Sequence, residues 1–123
     1  MANPTVSTFN PDGLVIDDYP IQHMPVTIAS GNTVVRGAAL GQITSGGKYI
    51  LSLSAAVDGS ETPLVIAAED IDASGGDVVG PVYVSGAFDG EKVTYGTGHT
   101  EATVNAAFRA AAAPLFLKTR APL

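Results

Sequence analysis

The strongest feature in the pattern of apolar and polar positions lies between residues 62 and 88, TPLVIAAEDIDASGGDVVGPVYVSGAF. Leu64-Val65-Ile66-Ala67-Ala68 is an uninterrupted apolar run held between Pro63 and Glu69. It is too short for a helix with a polar face, and a run of this length between turn signals predicts a strand covered on both faces. Residues 70–77, with Asp72, Ser74, Gly75 and Gly76, have the composition of a connection. Residues 78–85 then return as a second strand, with Val82 and Val84 facing one way and Tyr83 the other. The rest of the chain must cover this pair.

Short extended pieces precede that centre. Val26 and Ile28 alternate, Gly31-Asn32 turns the chain, and Val34-Val35-Arg36 begins another piece. AALGQIT (38–44) reaches the glycine-rich hairpin turn Ser45-Gly46-Gly47, and residues 48–53 return with Tyr49, Leu51 and Leu53 on one face. Asp58-Gly59-Ser60 is a loop leading into the central pair. Pro81 cannot donate to a ladder, so its strand is expected at an edge or bulged there. After Phe88, Asp89-Gly90 turns the chain and residues 92–95 make one more short strand.

Residues 100–113 carry the helical pattern. Thr100 can cap the helix, Glu101 suits its positive end, and Pro114 stops it. At 100° per residue Glu101, Asn105 and Arg109 form one narrow polar stripe. Val104, Phe108, Ala111 and Ala107 fill the adjacent face, and Ala102, Ala106, Ala110 and Ala113 the far side. So little polar surface predicts cover from more than one direction. Its own sheet is one cover, and a neighbouring subunit is the candidate for the other, against the four far-side alanines. Leu115-Phe116-Leu117 reads as a last short strand, and residues 118–123 as a basic tail.

Residues 1–24 differ. Pro4, Pro11 and Pro20 prevent a helix, Asp17-Asp18 interrupts the apolar residues, and no alternation lasts long enough to predict a strand. One reading is a frayed terminus. The other is an arm that orders on a partner, because Phe9, Leu14, Val15, Ile16, Tyr19 and Ile21 are many apolar groups for a free tail.

Composition narrows the function classes. The 123 residues fit one domain. Only 15% are charged, against roughly 25% in an ordinary soluble domain, so a partner covering the surface desolvates few charges. The net charge is −6, and between Lys48 and Lys92 there are eight acids and no base. Such a middle repels phosphate, which argues against nucleic acid and against a membrane surface. Without cysteine there is neither a disulfide framework nor a thiolate metal site. MANPTVSTF lacks the basic and apolar regions of a secretory signal, and no apolar run nears the ~18 residues of a membrane span. A soluble product of the cytoplasm is expected.

Candidate chemistry is sparse. Glu69, Asp70 and Asp72 are the best carboxylates for catalysis or calcium. They lack the alternating ligands of a calcium loop, and acid–base work would need a partner facing them across a cleft. A solvated strand end is the plainer reading. His23 and His99 each stand alone in a loop-like context, without a metal-ligand spacing. No Gly-x-Ser-x-Gly surrounds a serine, and Gly37-Ala38-Ala39-Leu40-Gly41 lacks the Lys-Ser/Thr of a phosphate loop. No catalytic, cofactor or metal residue is assigned.

In order and spacing, Arg36-Gly37-Ala38-Ala39-Leu40-Gly41-Gln42-Ile43-Thr44, Gly47-Lys48-Tyr49 and Asp58-Gly59-Ser60 resemble the lambda-type bacteriophage head decoration proteins. Leu64-Val65-Ile66-Ala67-Ala68-Glu69-Asp70, Val82-Tyr83-Val84-Ser85-Gly86-Ala87-Phe88 and Ala107-Phe108 continue the likeness, which spans residues 25–117. The resemblance implies a small, mainly β domain, an antiparallel sandwich or barrel with one short C-terminal helix, in residues 25–123. It implies a homotrimer at three-fold and quasi-three-fold sites on the outer capsid surface of the virion, stabilising the shell without cofactor or catalysis. Residues 1–24 would be the extended arm that contacts the major capsid protein, through Phe9, Leu14, Val15, Ile16, Tyr19 and Ile21. The tail at 118–123 departs from the family pattern. Rival readings are another virion part, such as a tail or fibre domain, and a small β-barrel hydrolase using Glu69 or Asp70.

Overall fold

The computed structural model describes residues 14–16 and 20–118. Within them run β1 (Val15–Ile16), β2 (Gln22–Ile28), β3 (Asn32–Val34), β4 (Ala39–Gln42), β5 (Tyr49–Leu51), β6 (Pro63–Ala67), β7 (Ile71–Ala73), β8 (Val78–Asp89), α1 (Glu101–Ala110) and β9 (Leu115–Lys118). The β-rich class with one late, short helix is as the pattern predicts, and the sheet closes on itself. β8 pairs with β2, β2 with β5, β5 with β4, β4 with β6, and β6 with β8 again, a five-stranded barrel. Only the β2–β5 step is parallel.

The unbroken apolar run explains why two cores exist. β6 sends Val65 and Ala67 into the inner cluster with Val26, Ile28, Leu40 and Val82. Between them Ile66, fully buried, joins the outer cluster beneath α1 with Val104 and Phe108. β4 divides in the same way, Leu40 inward and Ala39 outward. Both faces of these strands are covered, so neither can alternate with polar residues.

Four expectations need correction. Residues 70–77 are more than a turn, because β7 lies within them and pairs with β3, burying Ile71 and Ala73 on either side of exposed Asp72. Three residues between turn signals are too few to show a period. Residues 92–95 form no strand, only a single bridge from Thr94 to Ala38. The N-terminal stretch does carry strands: β1, and β2 from Gln22 onward, are both held by pairing with β8, which local alternation cannot reveal. Pro81 lies neither at an edge nor at a bulge. It sits opposite Pro25 with β2 on one side, while its carbonyl accepts from Ala68 N–H (3.1 Å) on the other. Two prolines cannot exchange N–H bonds, so they occupy a pair that needs none.

β8 is the longest element, 12 residues, and serves two structures. Its first half belongs to the barrel. A register shift opposite Gln22/His23 follows, and its second half carries β1 antiparallel and β9 parallel.

The helix begins as its sequence predicts. Thr100 and Thr103 form a reciprocal capping box, with Thr100 N–H donating to Thr103 Oγ1 (2.8 Å) and Thr103 N–H to Thr100 Oγ1 (3.4 Å). It ends at Ala110, short of the expected 113. Ala112 turns left-handed (φ 55°), letting Ala113 N–H reach Phe108 O (2.9 Å) and Ala112 N–H reach Arg109 O (3.1 Å). This closure uses the last carbonyls before Pro114 redirects the chain into β9.

Candidate functional site

No cleft with converging chemistry dominates the described residues, so the candidates are surfaces. The first is the helix. Val104 and Phe108 are fully buried, which fixes the rotation of α1 on the sheet. That rotation lays Asn105 and Arg109 of the polar stripe along the edge of β9. Asn105 accepts from Leu117 N–H (3.0 Å) and donates through Nδ2 to Leu117 O (2.9 Å), pairing with β9 as a backbone peptide would. Arg109 donates to Ala113 O (2.7 Å) and to Leu115 O, and its guanidinium lies 4.3 Å from the Phe116 ring centre. The outer edge of β9 is thereby closed by side chains.

Replacing Asn105 with alanine is expected to destabilise the protein by about 1–3 kcal/mol, because Leu117 loses partners for both backbone groups. Chemical unfolding measures this, and a change near zero would show that water replaces the amide without cost.

With Val104 and Phe108 turned inward, Ala102, Ala106 and Ala110 are exposed, whereas Ala113 is half-buried against the outer cluster. The arm candidates divide as well. Leu14 (1% exposed) and Val15 (7%) belong to the subunit's own outer core, so their side chains are not presented to a partner. Ile16 and Ile21 are half-buried, Ile21 against the same cluster. Phe9 and Tyr19 lie outside the described residues. The most exposed large apolar side chains among the described residues, not singled out from sequence, are Val57 (96% exposed) and Val79 (66%). Val57 borders a shallow open depression with Ile43, Thr44, Ser45, Asp58, Gly59 and Glu61. A burial number at these positions is set by tertiary neighbours, which a single sequence does not display.

The carboxylates close turns or tie distant segments together. Asp70 Oδ1 accepts from Arg36 N–H (2.8 Å), and Asp72 Oδ1 from Ser74 N–H (2.9 Å). Asp77 accepts from Ser30 N–H (2.8 Å) and pairs with Lys48 (2.6 Å). Hydrogen bonds of this kind, those from Ser74 to Asp72, Lys48 to Asp77 and Ser60 to Asp58 foremost, hold these three carboxyls below their ordinary range. Glu69 is exposed. No group of three or more His, Asp or Glu among the described residues could hold a metal ion.

The histidines are not in plain loops. His23 lies in β2 and its ring centre is 4.8 Å from that of Tyr83, whose hydroxyl accepts from Arg36 (2.6 Å). His99 precedes the helix and joins three segments: Nδ1 meets Thr103 Oγ1 (3.0 Å), and Nε2 meets Glu61 O (2.9 Å) and Ser52 Oγ (3.2 Å). A carbonyl only accepts, so Nε2 carries the hydrogen and cannot take a proton from Ser52. Ser52 is fully buried and its hydroxyl donates to Ser60 O (2.6 Å). The pair is a tie between loops, not a nucleophile with its base.

Tyr95 donates its hydroxyl to Gly90 O (2.6 Å) and is pushed from 10.0 up to about 12, first by burial and then by the Glu101 and Asp89 carboxylates. Below pH 10 both folded and unfolded states hold this proton. Between 10 and 12 the unfolded state loses it first, so stability must fall across that window. Unfolding midpoints should decline over it, and less so in Tyr95→Phe. Equal slopes in the two proteins would remove Tyr95 as the cause.

Comparison with known proteins gives one assignment. The model of the family described as bacteriophage lambda head decoration protein D matches residues 6–115. No curated protein matches the chain.

Proposed function

Since the chain belongs to the bacteriophage lambda head decoration protein D family, we propose that it binds the outer surface of the expanded capsid as a homotrimer and stabilises the shell. The family is one of structural proteins of the phage head, and the match over residues 6–115 is the observation that carries the reading. The proposed partners are two further copies of the chain and the major capsid protein, met at three-fold and quasi-three-fold positions. No catalysis enters this role. Covering apolar surface at subunit junctions stabilises a shell by roughly 25 cal/mol per Å² before ordering costs, and repetition multiplies a modest gain per site.

Two features support a division of labour. Ala102, Ala106 and Ala110 form an exposed, small-residue helix face that a neighbouring copy can approach closely. The arm, taken as residues 1–24, supplies the capsid contact through the part preceding Leu14, because Leu14 and Val15 are committed to the core. Deleting residues 1–12 is expected to abolish attachment to expanded heads while the trimer persists. Sedimentation with undecorated heads and electron microscopy of the particles test this. A truncated protein that still decorates heads but has become monomeric would overturn the assignment.

A further inference from the structure

We infer that Val57 is a knob joining two copies of the chain. It enters, on the neighbouring copy, the depression lined by Ile43, Thr44, Ser45, Gly59 and Glu61. The inference rests on the homotrimer proposed above and names one contact that holds it together.

Val57 is 96% exposed, and Leu53 and Ala55 of the same loop are exposed as well. An apolar side chain on a loose loop needs no partner, but this loop is tied down. Before Val57, Ser54 N–H donates to Thr97 O (3.1 Å) and Ala56 N–H to Leu53 O (3.1 Å). After it, Thr44 N–H donates to Asp58 O (2.8 Å) and Ser60 N–H to Asp58 Oδ1 (3.0 Å). A Cβ on Gly96 would strike Ser52 O, and one on Gly98 the Ser54 side chain, so residues 96–98 press against the base of the loop. Val57 is thus held out into solvent by bonds on both sides. A segment already ordered loses little conformational entropy when a partner covers it, so burial of its methyl groups is offset by little.

Both halves of the fit are on this chain, which is why the partner is a second copy. The depression lies between the β4–β5 hairpin and residues 58–61, with a volume of about 550 Å³, ample for one isopropyl group. Its carboxylates are engaged within the subunit. Glu61 Oε1 accepts from Gly59 N–H (2.9 Å) and Asp58 Oδ1 from Ser60, so an entering apolar side chain strands no charge. His99 Nε2 donates to Glu61 O (2.9 Å) and ties the depression to the start of α1, where Ala102 is exposed. The depression therefore borders one end of the helix face proposed for a neighbouring copy. Knob and depression are different patches, so their contact is heterologous. Each copy gives one knob and receives one, and three such contacts can close a ring.

Sedimentation equilibrium of the full-length chain comes first and should give a trimer. A monomer there would defeat the homotrimer reading itself, before any substitution is made. Val57→Asp should then weaken self-association about tenfold or more, because a carboxylate replaces an isopropyl group in a covered site. Its circular dichroism spectrum should not change, since the side chain is almost wholly exposed within its own subunit. The chain has no cysteine, so placed thiols report contact without background. Val57→Cys subunits mixed with Ser45→Cys subunits should form a disulfide-linked dimer under mild oxidation that neither forms alone. Undiminished association of Val57→Asp would overturn the inference, as would a mixture without the linked dimer. Linkage of Val57→Cys to itself as readily as in the mixture would set knob against knob and overturn it too. A Val57→Asp trimer of full strength that no longer binds heads would assign the knob to the shell instead.

Discussion

Replacing Phe108 with alanine is expected to lower the unfolding free energy by about 3–5 kcal/mol. The ring is fully buried in the outer cluster, where Val104, Ile66, Phe88, Leu115 and Leu117 also lie. It joins three elements, the helix, the barrel through β6, and β9, so no single segment can close the gap left by its removal. A domain of this size is stable by about 5–15 kcal/mol, which makes the loss about a fifth or more of the total. Denaturant or thermal unfolding reads it directly. Phe108→Leu, which keeps most of the apolar volume, should cost clearly less. A cost below about 2 kcal/mol for the alanine variant would mean that α1 does not pack on the sheet as described.

That helix shows how far local pattern reaches. Its existence, its cap at Thr100 and its buried residues follow from 3.6-residue periodicity and from Pro114, because each signal lies within one turn of its effect. The role of its polar stripe does not. Glu101, Asn105 and Arg109 read only as a narrow polar stripe, yet Asn105 and Arg109 satisfy the backbone of β9, a relation visible only once β9 has docked parallel to β8. The apolar run of β6 announces burial on both faces without saying that two separate cores lie there. Similarly, Pro81 taken singly reads as an edge or a bulge, and as half of a matched pair with Pro25 only when β2 and β8 lie side by side. For the candidate site, the exposure of Ala102, Ala106 and Ala110 follows from the opposite placement of Val104 and Phe108. The split of the N-terminal apolar residues at Leu14 does not, since it depends on a strand more than 70 positions away.

The same split makes Leu14→Ala the sharpest test of where the arm ends. Leu14 is 1% exposed in the outer cluster, and its carbonyl accepts from Asp89 N–H at 2.8 Å. Its side chain also abuts Gly37, where an added Cβ would stand 3.4 Å from Leu14 Cδ1. Truncation to alanine leaves the backbone bond in place but empties a site walled by the barrel and by β8, so about 2–5 kcal/mol should be lost. Deletion of residues 1–12 should leave stability nearly unchanged, because it leaves Leu14 and every other described side chain of this core in place. The contrast between the two is the prediction. If Leu14→Ala is as mild as the deletion, the N-terminal strand is a detachable part of the arm. If the deletion is as costly as Leu14→Ala, residues before β1 belong to the fold, and attachment and stability cannot be assigned to different stretches of the chain.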